Sequence, residues 1–365
     1  MPGVVIVGGG PAGAAAAIDL ATAGREVTLI ERNAIPMDKV CGDFLSAEAV
    51  ETLVHLGVDL SAATEITSVR LIQGRRAATT HLPFVGRGLS RRALDEALLR
   101  QAQRRGAVVL RGRHVRSVRD RSAGLELDCG ASDCTVADTL FLATGKHDVR
   151  GVGRPERGIG LVGFKTYYEL APAQRAALRG HIELILFEGG YAGLQQVEAD
   201  QVVLCMSLPA ARLRAVGGKW PNLIDDLMNE CPHLRERLTA ARTLRDRPSA
   251  IAGLPYGYLH VPRGGDLPGL FRLGDQAAVI GSLTGDGVAL ALASGGLAAR
   301  TWLAGGDAET YHRRLAAGLS RQLRFASIIH RLCVTPALQP SIRAVCGLWP
   351  GAMRWAASLT RTQAL

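Results

Sequence analysis

Closely spaced cysteine pairs and long apolar runs are missing from this sequence of 365 residues. The seven cysteines are an odd number, lie far apart and form no CxxC pair, so they indicate neither a zinc site nor a disulfide framework. No uninterrupted apolar run reaches the roughly 18 residues of a membrane-spanning helix. Because the first apolar strand begins almost at once, we also expect no signal peptide and a reduced, cytoplasmic setting.

The chain is basic, but it lacks the pattern of a nucleic-acid-binding protein. Its formal net charge is +10 at pH 7, and its arginines are scattered along the chain instead of alternating with aromatic residues in one block. We therefore expect no nucleic-acid partner, and we place most arginines on solvated helix faces. The spacing of the cysteines leads us to expect no metal either. Part of the positive field would help to attract acidic ligands. The length suits two or three structural units.

A glycine motif next to the N-terminus gives the strongest functional signal. An apolar run at residues 4–7 indicates a buried parallel strand that turns into an alanine-rich helix. The turn has the GxGxxG spacing, formed by Gly8, Gly10 and Gly13, with Pro11 and Ala12 between them. Glycine permits a tight turn, a close approach to a pyrophosphate and close packing of helix on strand. The helix N-terminal amides would then bind the negative charge.

An acidic residue at the end of the next strand strengthens this interpretation. Residues 26–30 form a second apolar run, which ends in Glu31 and is followed by Arg32. The Glu31 carboxylate lies at the distance along the chain at which it would accept hydrogen bonds from a ribose. The order of strand, glycine turn, helix, strand and acid predicts a dinucleotide site over residues 3–32. A glycine turn without a ligand is the alternative.

The rest of the chain alternates between this unit and a second one. Residues 68–82 alternate as strands do, and an amphipathic helix over residues 89–106 returns the chain to the nucleotide-binding unit. Four β segments between residues 162 and 207, separated by glycines, indicate an antiparallel sheet. Helical patterns follow at residues 223–239. We expect the sheet to form a separate substrate domain.

Three more turns of small residues are expected to touch the ligand. A buried strand at residues 139–144 ends in Gly145, and a later strand at residues 270–273 meets Gly274 and Asp275. The third turn opens a helix of small residues, which can lie very close to a flat ligand, and it contains Gly285, Asp286, Gly287 and Val288.

With these landmarks in this order, the chain resembles the flavoprotein monooxygenase and geranylgeranyl reductase superfamily of FAD-dependent oxidoreductases. The resemblance covers nearly the full length and depends on the glycine motif, the loop at residues 39–42, Arg91 and the Gly274-Asp275 pair. It implies FAD as the cofactor and NADH or NADPH as the electron donor. It also implies that Asp275 hydrogen-bonds the ribityl chain and that Arg91 reaches FAD.

The resemblance supplies a set of expected cofactor-binding residues: Gly8, Gly10, Pro11, Ala12, Gly13, Glu31, Arg32, Cys41, Gly42, Arg91, Gly145, Gly274, Asp275, Gly285, Asp286, Gly287 and Val288. Cys41 matches the cysteine that the reductase branch places beside the isoalloxazine ring, and it is a candidate catalytic residue. Three alternatives stay open. In these alternatives Asp275 only caps a turn, Arg91, with which its neighbour Arg92 could be confused, faces solvent, and Cys41 is a small buried hydrophobe.

The predicted fold class is α/β, with a Rossmann-like FAD-binding domain of the glutathione-reductase type, an antiparallel β-sheet substrate domain and C-terminal helices. The expected FAD-binding domain is discontinuous. The expected boundaries are residues 1–68, 85–160 and 251–310 for the FAD-binding domain, 69–84 and 161–250 for the substrate domain, and 311–365 for the helical segment.

Two segments depart from the patterns of the superfamily. Hydroxylases carry an Asp-Gly pair where this chain has residues 143–151, although Lys146, His147 and Arg150 offer positive charge there. Reductases carry a tyrosine-tryptophan-phenylalanine-proline box where this chain has residues 190–194. Flavin halogenases carry a double-tryptophan box and an active-site lysine, and neither is evident here.

The function that the sequence favours is an FAD-dependent monooxygenase, which uses reduced flavin and oxygen to hydroxylate an aromatic or other secondary-metabolite-like substrate, free or bound to a carrier or protein. The alternative is reduction of an alkene or isoprenoid. A halogenase and a non-catalytic flavin-binding protein are less favoured. Lys165 is a second candidate catalytic residue, because it alternates with Tyr167 along a strand and would face the pocket; a solvent-facing strand is the competing interpretation.

The C-terminal residues 311–365 combine an apolar side with a basic side. Pro336, Pro340 and Pro350 divide them into short helices, which favours a lid packed over the substrate domain. A helix lying on an anionic membrane surface is the alternative, so peripheral membrane contact stays open. The sequence leaves the oligomeric state undetermined.

Overall fold

The structure is a computed structural model that describes residues 4–122, 124–130, 134–154, 160–349 and 351–361. Its strands are β1 (Val4–Val7), β2 (Val27–Glu31), β3 (Phe44–Leu45), β4 (Thr64–Gln73), β5 (Arg76–Gly88), β6 (Val108–Arg111), β7 (Ser117–Arg121), β8 (Gly124–Asp128), β9 (Cys134–Ala137), β10 (Leu140–Leu142), β11 (Leu161–Glu169), β12 (His181–Phe187), β13 (Gly190–Gln196), β14 (Val202–Pro209), β15 (Arg242–Thr243), β16 (Ser249–Ala252) and β17 (Leu270–Arg272).

The helices follow the same chain order. They are α1 (Pro11–Thr22), α2 (Ala47–His55), α3 (Arg91–Arg104), α4 (Pro172–Leu178), α5 (Ala210–Ala215), α6 (Trp220–Glu230), α7 (Pro232–Leu238), α8 (Gly287–Leu303), α9 (Ala308–Val334), α10 (Gln339–Leu348) and α11 (Gly351–Thr360).

The nucleotide-binding domain is built on a parallel sheet in the order β17-β10-β1-β2-β6. Its strands are short and apolar because helices and the small β7-β8-β9 sheet cover both faces. Helix α1 packs against α3 and α8. A Cβ atom at Gly295 of α8 would lie only 2.2 Å from the carbonyl oxygen of Ala12, so the small residues of α8 serve close helix packing.

The second domain is a larger sheet in the order β15-β11-β14-β13-β12-β4-β5-β3, with β16 paired to β11. Its pairs are antiparallel, as predicted, with the exception of β12 and β4, which run parallel. These two strands belong to separate excursions of the chain, so no hairpin turn fixes their direction. Apolar side chains of α6 and α7 pack on one face of the sheet. The predicted α/β class with its two domain types is confirmed.

Some predicted boundaries fall inside elements. The paired strands β4 and β5 extend beyond residues 69–84 at both ends, and α9 begins before residue 311. The helices α9, α10 and α11 pack on one another. Helix α10 also packs on β4 and β5, α11 on β5, and α9 on β12 and β13. Among the described residues, no helix combines the length and the apolar composition needed to cross a bilayer.

Candidate functional site

A cavity of about 470 Å³ lies where the two domains meet. Its floor is the edge at which the parallel strands β1, β2, β10 and β17 end, which is where open α/β sheets bind their ligands. Its opposite wall is formed by side chains and backbone of β11, β12, β13 and β14. The cavity therefore joins a nucleotide-type edge to the substrate sheet.

Most of the residues expected at the cofactor line this one cavity. They are Gly8, Gly10, Pro11, Ala12, Glu31, Arg32, Cys41, Gly42, Arg91, Gly145, Gly274, Asp275, Gly285, Gly287 and Val288. Gly13, Asp286 and Lys165 do not line it. Residues predicted from segments up to 280 positions apart in the chain, from Gly8 to Val288, therefore lie around one cavity.

The glycine turn has the geometry that its spacing predicts. Gly8 has a φ of +110°, and a Cβ atom there would lie 2.2 Å from the carbonyl oxygen of Ala143. A Cβ atom at Gly13 would lie 2.0 Å from the carbonyl oxygen of Gly8, so Gly13 serves helix-on-strand contact and is not itself exposed to a ligand. The first amides of α1 have no partner within the helix, and this end of the helix lies at the cavity, which Gly10, Pro11 and Ala12 line.

Glu31 organises the turn as well as facing the cavity. Its Oε2 atom accepts a hydrogen bond of 2.8 Å from the Gly9 amide, and its Oε1 atom accepts from the Asn33 amide and side chain. Burial opposes the charge, but Lys39 and these hydrogen bonds hold the pKa of Glu31 below its ordinary value. A stable carboxylate at the end of β2 suits ribose hydroxyls.

Asp275 meets a lysine that the sequence did not connect to it. The Nζ atom of Lys146 donates to Asp275 Oδ2 at 2.8 Å, and both residues line the cavity. Although burial opposes the charge, Asp275 raises the pKa of Lys146, so the ammonium stays protonated. Arg154 also donates from Nη1 to the Asp275 carbonyl oxygen at 2.9 Å. Asp275 therefore enters the cavity as part of an ion pair, and Arg154 fixes its backbone.

Arg91 occupies the first turn of α3 and faces the cavity, whereas Arg92 is exposed outside it. The guanidinium of Arg91 donates to both carboxylate oxygens of Asp95, at 2.8 and 2.9 Å. Burial works against the charge, but Asp95 raises the pKa of Arg91 further above its ordinary range. This bidentate pair holds the guanidinium beside Gly10, where it is suited to a phosphate.

Cys41 and Gly42 lie on the loop that crosses the cavity between its two domains. A second thiol, Cys205 of β14, lines the same cavity, and no local pattern in the sequence pointed to it. Burial raises the pKa of the Cys205 thiol to about 12, so it stays protonated.

Lys165 is buried behind this loop, so the solvent-facing interpretation of β11 is wrong. Its Nζ atom donates to Asp43 Oδ1 at 2.7 Å and to the Lys39 carbonyl oxygen at 3.1 Å. Because the side chain ends at the loop and does not line the cavity, its role is to position residues 39–43. The strand is covered on both faces, which removes the alternation of exposed and buried residues that sequence reasoning uses.

Tyr167 completes the network under the loop. Its hydroxyl lies 2.7 Å from Asp43 Oδ2 and 2.9 Å from Asp38 Oδ1, yet it has one proton to donate. Both contacts are hydrogen bonds only when one of the two carboxyl groups carries a proton. Burial raises the pKa of Asp43 to about 6, against the opposing effect of Lys165, so Asp43 is the group that binds this proton as the pH falls through 6.

Asp286 points away from the cavity although the residues on either side of it line the cavity. Its Oδ1 atom accepts a hydrogen bond of 2.8 Å from Arg361, and burial raises the pKa of Asp286 to about 7. The expected cofactor contact of Asp286 is replaced by a tie to the C-terminal segment. A contact 75 residues away in the chain therefore helps to hold the side chain in this direction.

The substrate-domain end of the cavity carries a group of hydroxyls that sequence reasoning missed. The Ser282 hydroxyl bonds both the Tyr256 hydroxyl, at 2.7 Å, and the Tyr191 hydroxyl. The ring of His330 from α9 meets both tyrosine rings edge-on. Burial raises the pKa values of both tyrosines, so these hydroxyls stay neutral and can donate or accept hydrogen bonds.

The cavity has the features that FAD requires. Gly42, Gly145 and Gly287 line it, and a Cβ atom at any of them would meet no atom within 4 Å. Backbone therefore borders open space at three turns, as a flat ring and a long phosphate chain need. Cationic side chains line the cavity near the N-terminus of α1. The carboxylates of Glu31 and Asp275, which the resemblance assigns to the ribose and the ribityl chain, line it too. The described residues contain no cluster of metal-ligating side chains.

Comparison with known proteins agrees with this site. A family described as FAD binding domain matches residues 2–136. The chain is 28% identical to a menaquinone reductase of Mycolicibacterium smegmatis, over 98% of this chain and 89% of that protein. It is 39% identical over 110 residues to digeranylgeranylglycerophospholipid reductase 2 of Methanopyrus kandleri, which is 29% of this chain and 27% of that protein.

Solved structures show the same fold at low sequence identity. The flavin-dependent brominase Bmp2 aligns with a TM-score of 0.80 and 18% identity, over 98% of this chain and 93% of the other. At this identity the likeness establishes the architecture and leaves the reaction to be argued from the site.

Proposed function

We propose that this protein, an FAD-dependent oxidoreductase of the flavoprotein monooxygenase and geranylgeranyl reductase superfamily, reduces a carbon–carbon double bond. The double bond would belong to an apolar, isoprenoid-type substrate. Membership of this enzyme superfamily removes the non-catalytic alternative. The proposal departs from the hydroxylation that the sequence alone favoured, and one observation carries it: the polarity of the cavity changes from one end to the other.

The charged lining residues are gathered at the nucleotide end, around Glu31, Arg91, Lys146 and Asp275. The substrate-domain end is lined by uncharged side chains, most of them aliphatic: Val40, Ile182, Leu184, Met206, Ile251, Leu254, Ile280 and Leu283. An apolar wall of this kind favours a hydrocarbon chain, because each buried methylene contributes about 0.8 kcal/mol. A charged substrate would lose its hydration there without gaining a partner.

Two of the relatives that match by sequence, the menaquinone reductase and the digeranylgeranylglycerophospholipid reductase, are named for the reduction of a quinone and of a geranylgeranyl lipid. These names support an apolar substrate of the same chemical class for this chain. They leave the head group open, and the Tyr191, Tyr256 and Ser282 hydroxyls are suited to hydrogen-bond a ring carbonyl or hydroxyl at that end.

Saturating a double bond takes one hydride and one proton. FAD, when bound and reduced, would supply the hydride. The cavity is lined by neutral proton donors, and the protonated Cys205 thiol is one of them. Cys41 lines the cavity beside Lys39 and Val40, at the boundary between the charged and apolar ends, and this position supports a role for its thiol near the ring. We propose NADH or NADPH as the electron donor.

Hydroxylation by reduced flavin and oxygen is the second candidate. The Tyr191–Ser282–Tyr256 hydroxyl group favours it, because such a group can orient a hydroxylated aromatic ring. Halogenation is not proposed, since the cavity lysines are both at the nucleotide end, where Lys146 pairs with Asp275 and Lys39 lies near Glu31.

The test is a single turnover under anaerobic conditions with FAD-loaded, chemically reduced enzyme and a polyprenyl quinone or a geranylgeranyl lipid. A product heavier by two hydrogens, formed without oxygen and still present after any quinol has been reoxidised to the quinone in air, supports the reductase, because that step reverses reduction of the ring alone. A product heavier by one oxygen atom, formed only in air, supports the hydroxylase instead. Repeating the reaction with NADH and with NADPH identifies the donor.

A matched pair of variants tests the location of the substrate. A Cβ atom at Gly193 would have only the Cys205 carbonyl oxygen nearby, at 3.9 Å, so Gly193→Leu should fit and fill the apolar end. We expect a KM higher by roughly tenfold or more with unchanged FAD content. Gly264→Leu, in an exposed loop with no atom within 4 Å, is the control and should change neither. An unchanged KM for Gly193→Leu would place the substrate elsewhere.

A further inference from the structure

The last part of the chain has an unusual charge balance. Residues 311–365 contain eight arginines and no aspartate or glutamate. The net charge of the whole chain is +10, so this segment accounts for most of it. The arginine side chains of Arg324 and Arg354 are exposed and make no ion pair with the acidic residues that the structure describes. Their charge is therefore available to an outside partner.

The inner side of this segment is already occupied. Ile329, Cys333, Ile342, Cys346 and Met353 pack with Tyr191 and Leu283, two residues that line the cavity. This arrangement agrees with the expectation that the helices close one side of the pocket. It also means that the apolar residues on the outer side have no role in that packing.

Large apolar side chains nevertheless stand on the outer side. Leu348 is 89% exposed, Trp349 58% and Trp355 60%, and Ile328 and Leu332 of α9 are also exposed. Ile328 and Leu332 are four residues apart, so they share one face of α9 with Arg324 and Arg331. We call Arg324, Ile328, Arg331, Leu332, Leu348, Trp349 and Trp355 the C-terminal face.

Tryptophan, leucine and arginine together have a specific preference. Tryptophan rings favour the boundary between lipid head groups and acyl chains, and arginine is attracted to anionic lipid. Helices that combine the two lie in the plane of a membrane surface. A protein partner would need acidic residues opposite the arginines and an apolar groove opposite the tryptophans, whereas an anionic bilayer supplies both at once.

We propose that the C-terminal face docks the enzyme on the surface of an anionic phospholipid bilayer, with Leu348, Trp349 and Trp355 entering the head-group region. The contact is peripheral and leaves the inner side of the helices on the cavity wall. This inference does not depend on which reaction the cavity performs.

The experiment is co-sedimentation of the full-length, FAD-loaded protein with two kinds of vesicle. One kind is phosphatidylcholine alone, and the other also contains about 30% of the anionic lipid phosphatidylglycerol. We expect binding to the anionic vesicles that weakens at high salt, and little binding to phosphatidylcholine. Trp349→Ser with Trp355→Ser should weaken binding roughly tenfold or more. Arg324→Glu with Arg331→Glu should weaken it by roughly 30-fold or more, because each arginine contributes about 1 kcal/mol.

Matched controls lie elsewhere on the surface. Val54→Ser with Val261→Ser removes two exposed apolar side chains, and Arg104→Glu with Arg105→Glu reverses two exposed charges at the C-terminal end of α3. Both should bind vesicles like the unchanged protein. FAD content and circular dichroism of every variant establish that it is folded. If a variant of the C-terminal face is unfolded, tryptophan fluorescence of the unchanged protein decides, since insertion shifts it to the blue.

Three results would overturn the proposal. The first is absence of binding to anionic vesicles. The second is equal loss of binding in the control variants, which would mean that the overall charge is responsible. The third is a concentration-dependent dimer of the unchanged protein that does not bind vesicles and that is lost in the variant Trp349→Ser with Trp355→Ser. This result would assign the face to a second copy of the chain.

Discussion

The Nζ atom of Lys165 lies 2.7 Å from Oδ1 of Asp43, although 122 residues separate them in the chain. Lys165 belongs to the substrate sheet, and Asp43 follows the loop that carries Cys41. Asp43 Oδ1 also accepts from the Arg91 amide at 3.2 Å, at the start of α3. One buried carboxylate therefore connects the substrate sheet, the cavity loop and the helix that presents Arg91.

Asp43 should give the protein a measurable pH dependence. Its pKa is about 6 in the folded protein, against 3.8 as the ordinary value, so the folded state binds the proton more tightly. The stability from this site is present below about pH 4 and is lost as the pH rises through 6. Asp43→Asn should therefore cost less free energy of unfolding at pH 7 than at pH 4.5. Urea titrations measure this difference, and exposed Asp120→Asn is the control. The same cost at both pH values would contradict the proton assignment.

The purified protein should contain FAD and not FMN, because the glycine turn and Glu31 serve the pyrophosphate and ribose that FMN lacks. Glu31→Ala should raise the Kd for FAD by roughly 10- to 100-fold, the effect of losing a hydrogen-bonding carboxylate that also holds Gly9. Flavin fluorescence titration measures the Kd. Glu26→Ala, an exposed acid just before β2, should change nothing. Release of FMN from folded protein would contradict the assignment of residues 4–31.

Asp275→Ala should also weaken FAD binding, and it should lower stability because Asp275 pairs with Lys146. Removal of the carboxylate leaves the Lys146 ammonium without its partner at 2.8 Å, which should cost the unliganded protein about 1 kcal/mol. In the double variant Asp275→Ala with Lys146→Met, the loss of stability should largely disappear, but FAD binding should stay as weak as in Asp275→Ala. Calorimetry and flavin titration separate the two effects. If Asp275 only caps a turn, the Kd for FAD will be the same as in the unchanged protein.

Cys41→Ala should lower kcat roughly tenfold or more and leave the absorption spectrum of bound flavin nearly intact, because the thiol lies on the cavity loop without carrying the cofactor. Cys134→Ala, an exposed cysteine of β9, is the control. Equal kcat for the two variants would reduce Cys41 to a packing residue.

The parts of the site that the sequence predicted are those with a local cause. Gly8 and Gly13 are required by the backbone geometry of a single turn, so their spacing in the sequence is enough to predict that turn. Glu31, Gly274 and Asp275 each end or follow a buried strand, and the ends of parallel strands meet at one edge. Knowledge of that edge is enough to bring them together.

What the sequence did not predict depends on contacts between distant segments. Lys165 has the same local pattern as a solvent-facing lysine, and only the loop folded over β11 buries it. Asp286 stands between two glycines of the cavity, and Arg361 near the end of the described chain helps to hold its direction. The Ser282 hydroxyl joins Tyr191 and Tyr256 from separate elements. No spacing in the chain records these approaches.

The hairpin of β4 and β5 leaves the ribosome well before β12 exists, because α3 and the small sheet lie between them in the chain. Until β12 arrives to pair with it in parallel, one edge of β4 exposes unpaired backbone groups and is open to association with other nascent chains. Neither domain can be completed from a continuous stretch of sequence. A chain cut between β10 and β11 should therefore yield two fragments that are insoluble when made apart and that regain structure only when they are produced together.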